Sequence, residues 1–194
     1  MIQEYDNERR VMMGTFKIVN EFVNEQVRGE QANPQDTEEV MELLILTAKW
    51  LHSQGSRQWS GLLEGQDSHN MAGCISQGEV FSFRQNNELV GVVILMQQPS
   101  PWDIDLWGES ALDSRISIYL HRLAIKRTSA GQGLGKDILH WVEKDIEYNN
   151  KDRIRLDCIA DNETLNRFYQ RNGYTYIGEV KGYNKYETLL NKNI

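Results

Sequence analysis

Tyr119-Leu120-His121-Arg122-Leu123-Ala124-Ile125 leads, through a short basic turn, to Gly131-Gln132-Gly133-Leu134-Gly135-Lys136. The first stretch belongs to a strand-like run over 116–125, and the second opens a helix with Ile138, Leu139, Val142 and Ile146 on one side. Glycines here let the backbone turn tightly and bring successive amides close to an anion. The unpaired amides and the positive dipole end of the helix add to that field. Lys126, Arg127 and Lys136 supply local positive charge, so the segment reads as a pyrophosphate site. It is not a P-loop, because Asp137 rather than Ser or Thr follows Lys136. Nor is it the G-x-G-x-x-G of a dinucleotide fold, because Leu134-Gly135 follows Gly133 directly.

Working outward, residues 1–25 read as an extension: Met12, Phe16, Val19 and Val23 fall at helical spacing and predict an amphipathic helix. From 26 to 194 the pattern is one domain. Gln26–Ala32 reads as a strand closed by Asn33-Pro34. Asp36 and Glu39 form a capping box for a helix whose stripe includes Val40, Leu43, Leu44, Ala48 and Leu51. Glu79–Phe83 and Leu89–Met96 are hairpin strands. The span 97–113 reads as a long loop, and loops of that length often carry function. Arg153–Ala160 is a strand, Asn162–Arg171 a helix ended by Gly173, and Tyr174–Val180 with Tyr186–Leu190 a last strand pair. This order predicts an α/β (α+β) mixed sheet with helices on both faces.

The chain has 194 residues, 40% of them hydrophobic, enough for a real core. Twenty-one basic residues against 28 acidic ones give a net charge of −7, which disfavours nucleic acid and anionic membranes as partners. Cys74 and Cys158 are too few for a disulfide framework and lack metal-ligand spacing, so no metal is expected. Met1–Arg10 is polar and no apolar run is long enough to span a bilayer, which makes the cytoplasm the expected location.

The context of the glycine run resembles the GNAT superfamily of N-acetyltransferases over roughly 26–190. Leu123-Ala124-Ile125 with Gly131-Gln132-Gly133-Leu134-Gly135 is similar to that family's acetyl-CoA loop. Leu156-Asp157-Cys158, Asn162, Leu165, Phe168-Tyr169 and Asn172-Gly173-Tyr174 resemble its strand–helix–glycine segment. Ala130 stands where the family usually has Arg or Gln, which removes a side-chain contact but no backbone amide. The resemblance implies a mostly antiparallel sheet splayed at the cofactor strand, and acetyl-CoA as co-substrate. It also implies direct transfer to an amine, with Leu123, Ala124, Ile125, Gly131, Gln132, Gly133, Leu134, Gly135, Lys136 and Asn162 against the cofactor. Tyr169 is implied as the acid that protonates the leaving thiolate; its spacing from Leu165 also fits a core aromatic.

Alternation in the strand predicts Tyr119, His121 and Leu123 on one face. His121 titrates nearest neutrality and is the candidate base, whereas His52, His69 and His140 read as structural or solvated. Acids and aromatics of the long loop, Trp102, Asp103 and Asp105, together with Trp59, suit a cationic amine. The expected acceptor is a small-molecule amine; a protein or peptide amine, or a catalytically silent CoA-binding module, are the alternatives, and a homodimer stays open.

Overall fold

The computed structural model describes residues 16–112 and 116–190. Its central hairpin joins β3 (Val80–Gln85) and β4 (Glu88–Met96) through Asn86 and Asn87, both at positive φ, the backbone a two-residue turn between twisted strands requires. These strands pair on one side with β2 (Arg28–Gln31) and on the other with β5 (Ser117–Ile125). β7 (Arg153–Ile159), β9 (Tyr183–Leu189) and β8 (Thr175–Val180) complete a seven-stranded sheet ordered β2-β3-β4-β5-β7-β9-β8. Among the described residues only the β5–β7 pair is parallel. The expected mixed sheet is present.

Helices α1 (Thr37–Ser53), α2 (Ser60–Leu63) and α3 (Met71–Ser76) cover one face. Val40, Leu43, Leu44 and Ala48 of α1 pack there with Val80, Val92 and Ile94. On the opposite face lie α6 (Leu134–Lys144) and α7 (Glu163–Arg171), whose Leu139, Trp141 and Tyr169 share a core with Phe81, Phe83, Val93 and Leu95. Trp141 presses so closely on β2 that a Cβ on Gly29 would sit 2.7 Å from its ring, which accounts for the glycine.

Three local expectations change. The span 97–113 is not a bare loop: it holds α4 (Pro101–Trp107) and α5 (Glu109–Leu112). Ser100 and Asp103 form a reciprocal capping box with Pro101 in the first turn, an arrangement that starts a helix. The box before α1 lies three residues upstream of the predicted one, between Asn33 and Asp36, and Asp36 and Glu39 instead share the Arg84 guanidinium. The described part of the N-terminal extension is not helical. Asn20 and Asn24 side chains accept amide hydrogens two and three residues ahead, and such bonds favour turns over a helix. β1 (Lys17–Ile18) instead pairs antiparallel with β6 (Ile146–Glu147), and Phe16 packs edge-on to Phe81 and Tyr148. Met12 lies outside the described residues.

Candidate active site

β5 and β7 pair only over Ser117–Tyr119 and Arg153–Arg155. Beyond that, β5 stays bonded to β4 out to Ile125 and β7 to β9 out to Ile159, so the two strands part and open a slot through the sheet. At its edge β5 is bulged: Val92 pairs with Ala124 and Ile94 with His121, leaving Arg122 and Leu123 opposite Val93 alone. Arg122 within the bulge takes a left-handed φ of +53°. The extra residue reverses the alternation. Leu123 and Ile125 pack with the α6–α7 core, whereas Tyr119 packs with α4 and Ala124 with α1–α3. The expected common face of Tyr119, His121 and Leu123 therefore holds only as far as His121.

The glycine run sits at the slot's α6 side. Gly131 and Gly133 have φ of +77° and +87°, and nothing lies within 4 Å of a Cβ placed on either. Gly133 is the N-cap of α6 and contributes no side chain, which leaves the first turn's amides to face a ligand. At Gly135 a Cβ would come within 3.1 Å of Ile125 and 3.3 Å of Phe168, so this glycine lets α6 start close against β5 and α7. The basic residues divide: Lys126 pairs with Glu88, Arg127 stacks over Trp50 at 3.8 Å, and Lys136 is exposed. Gln132 donates to the Thr128 carbonyl. A cleft of about 260 Å³ flanks this loop, between Asn24, Gln26, Gln85, Ser129 and Gln132.

Asn162 caps α7, its Oδ1 accepting from the Leu165 amide. Asn166, unremarked in the sequence, holds the same corner: its Nδ2 donates to three carbonyls, and its Oδ1 accepts from Cys158 Sγ, Asn184 Nδ2 and Tyr186 Oη. Tyr169 is buried among Phe168, Tyr174 and Tyr186. Burial raises its phenol well above the usual range, and Cys158 and Asp157 add to that, so it stays protonated at neutral pH.

On the other face, His121 Nε2 and Asp103 Oδ2 stand 3.1 Å apart, with the histidine 8% and the aspartate 1% exposed. Burial works against the imidazolium, but the Asp103 charge, the hydrogen bond and Asp157 outweigh it and raise His121 above its usual value. Burial likewise opposes the Asp103 carboxylate, but His121 and the bonds from Ser100 hold it below its usual value. Asp157 accepts from Trp102 Nε1 at 3.2 Å, and burial raises its carboxyl. One ligand atom from each of Asp103, His121 and Asp157 lies within 4.8 Å of the others, but His121 Nε2 and Asp103 Oδ2 face each other, an arrangement suited to holding a proton. His69 lies 4.9 Å from the His121 ring, and burial, with His121 and Arg122 adding, pushes its pKa down to about 3. It is a neutral member of this cluster, not a remote histidine.

Trp59, Trp102 and Asp103 thus come to the His121 side of the slot: Trp59 beneath Arg122, Trp102 edge-on to Tyr183, Asp103 on His121 itself. Asp103 is a buried partner of His121 and not a solvated lure for a cation. Asp105 stands apart, exposed and 2.6 Å from Lys181. Sequence reasoning missed His69, Arg122 and Asp157 in this role. Asp157 alone carried a signal, an acid that follows Arg153 and Arg155 on one face of a strand whose other face is Ile154, Leu156 and Cys158.

The Acetyltransferase (GNAT) family model matches residues 38–174. An uncharacterised N-acetyltransferase of Bacillus subtilis, YesJ, is 47% identical over 176 residues, covering 90% of this chain and 97% of that protein. A GNAT-family acetyltransferase structure from Listeria monocytogenes, 37% identical, superposes with a TM-score of 0.71 over 84% of this chain and 95% of its own. The PaiA N-acetyltransferase of Thermoplasma acidophilum, at 16% identity, shares the fold with a TM-score of 0.62 over 84% and 98% of the two chains. The family model spans most of the chain and the Bacillus subtilis relative nearly all of it, and the chain belongs to the GNAT family of acetyltransferases.

Proposed function

We propose that the protein transfers an acetyl group from acetyl-CoA directly to the amine of a small molecule. The observation that carries this reading is the His121–Asp103 pair, buried at the edge of the slot on the face opposite the glycine loop. A donor held by the loop and an acceptor entering from the other face meet at the bulge. The open space at Gly131 and Gly133 and the uncapped start of α6 fit a pyrophosphate, and the parted strands fit an extended pantetheine arm. The PaiA structure is a complex with coenzyme A, and the related fold of the microcin C7 self-immunity protein MccE was determined with acetyl-CoA and AMP.

His121 accepts the proton of the incoming ammonium, and Asp103 stabilises the imidazolium that results. The amine nitrogen then bonds to the acetyl carbon as the carbon–sulfur bond breaks, with backbone N–H of the bulged segment aimed at the carbonyl oxygen. Tyr169 gives its proton to the departing thiolate, and the second proton that the acylated nitrogen sheds returns the phenolate to phenol through solvent. Asp157 and Cys158, adjacent on β7, turn to the His121 and Tyr169 sides respectively, so the two proton-handling groups flank one strand. Half-buried Trp59, Trp102 and Tyr183 narrow the approach, which favours a compact amine.

Thiol release from acetyl-CoA with a panel of small amines and of peptides tests the reading. Turnover with small amines is expected. Turnover with peptides alone would assign a protein acceptor, as in the ribosomal L7/L12 α-N-protein acetyltransferase RimL, which shares the fold at 16% identity and a TM-score of 0.59. Cofactor binding without turnover would make the protein a silent CoA-binding module.

A further inference from the structure

Arg122 occupies the bulge beside His121 at φ +53°. A non-glycine residue takes that conformation only at a steric cost, so the bulge itself gives no reason for an arginine there. The side chain must supply the reason. Its guanidinium lies 4.9 Å over the Trp59 ring, Nε donates to His69 Nδ1 at 3.4 Å, and Nη2 donates to Ser68 Oγ at 3.2 Å. Nη1 is buried and has no partner. Every group it touches is neutral, including His69, which burial keeps uncharged near pH 7.

Among the described residues no carboxylate lies within ion-pair distance of Arg122. Asp67 is felt only at longer range, while its Oδ2 accepts from the Met71 amide. Arg84 by contrast holds three carboxylates, and Arg153 and Arg155 share Glu187. A partly buried guanidinium without a counter-ion is unfavourable, so its charge is expected to be met by something that binds. The candidates on the chain are already committed: Asp103 to His121, Asp157 to Trp102, Asp105 to Lys181.

We infer that Arg122 binds an anionic group on the acceptor, which is therefore a small amine bearing a carboxylate or phosphonate a few bonds from its nitrogen. This rests on the reading of the slot as an acetyl-transfer site. The planar fork of an arginine matches the two oxygens of such a group, and Nη1 supplies the free donor. The ammonium end then reaches the negative side of the cluster, where His121 and Asp157 lie. A zwitterion matches that arrangement end to end, which a simple cation does not.

Thiol release with amino acids, their methyl esters and aminoalkylphosphonates decides the matter. The parent protein is expected to favour an acid over its ester by at least about tenfold in kcat/KM. Arg122→Gln should collapse that ratio by at least about tenfold, mainly through KM, and Arg122→Lys should restore part of it. Preference for the phosphonate over the carboxylate would assign a phosphate-like group to the same fork. Esters equal to acids in the parent, or Arg122→Gln lowering both equally, would overturn the anion site and leave acetyl transfer standing. The second result would make Arg122 a brace for the Ser68–His69 segment. No thiol release with any amine, peptides included, would overturn the transfer reading itself and the anion site with it. Should Arg122→Gln fail to fold, the parent's acid-to-ester ratio and the Arg122→Lys variant carry the decision.

Discussion

At the residue scale the proposed transfer turns on a proton held between His121 and Asp103. Raising the imidazole above its usual 6.5 makes it a stronger base, but one that is charged over more of the neutral range. The acid limb of kcat/KM is therefore expected above pH 6.5, where His121 loses its proton. Asp103→Asn keeps a carbonyl for the α4 cap and removes the charge, so it should shift that limb downward; a pH–rate profile identical to the parent's would separate Asp103 from the base. The pair also stabilises the fold within a window. The histidine's share is full below 6.5 and disappears as pH rises through the raised folded value. The aspartate's share is full above 3.8 and disappears as pH falls through the lowered folded value. For Tyr169 the expectation is a kinetic one: Tyr169→Phe should lower turnover by roughly 10²-fold with acetyl-CoA affinity near the parent's. Loss of affinity and turnover in proportion, measured by calorimetry beside kinetics, would reduce this tyrosine to a packing residue.

Elements act here through their ends. α6 begins with two glycines that do different work. Gly133 has open space around it and a left-handed φ, whereas Gly135 has ordinary backbone but no room. Gly133→Val is expected to weaken acetyl-CoA binding by about tenfold or more, since it strains the turn that presents the amides. Gly135→Val should instead destabilise the fold by about 1–3 kcal/mol, because its side chain would meet Ile125 and Phe168. Thermal melts with titration of acetyl-CoA separate the two, and equal effects on both measurements would remove the distinction. α7 is instead held at its start by side chains, Asn162 at the cap and Asn166 behind it.

For the molecule as a whole, residues 16–24 are tied to the core through Phe16, Asn20 and Asn24. Phe16 is buried against Phe81 and Tyr148, Trp141 Nε1 donates to the Asn20 carbonyl, and Asn24 Nδ2 donates to Asp137 in the first turn of α6. Phe16→Ala should therefore cost about 3 kcal/mol or more of unfolding free energy, read from denaturant titration. An unchanged midpoint would mean that the segment only rests on the sheet. Among the described residues no helix is long and apolar enough to cross a membrane.

What the sequence determined by itself was everything carried by local pattern. Strand runs, the stripe on α1, the Asn86-Asn87 turn and the glycine-led start of α6 are properties of neighbouring residues, and the family was legible from two such segments in the right order. The capping box at Ser100 and Asp103 was equally local and passed unread. Tertiary structure alone decided the site. A one-residue bulge at Arg122 turned Leu123 away from His121, and nothing in an alternating strand announces where alternation stops. Asp103, Asp157 and His69 reach His121 from separate elements, and the charge each carries follows from its burial and its partners. Burial and partnership are set by packing across the sheet, at separations in sequence that no local pattern records.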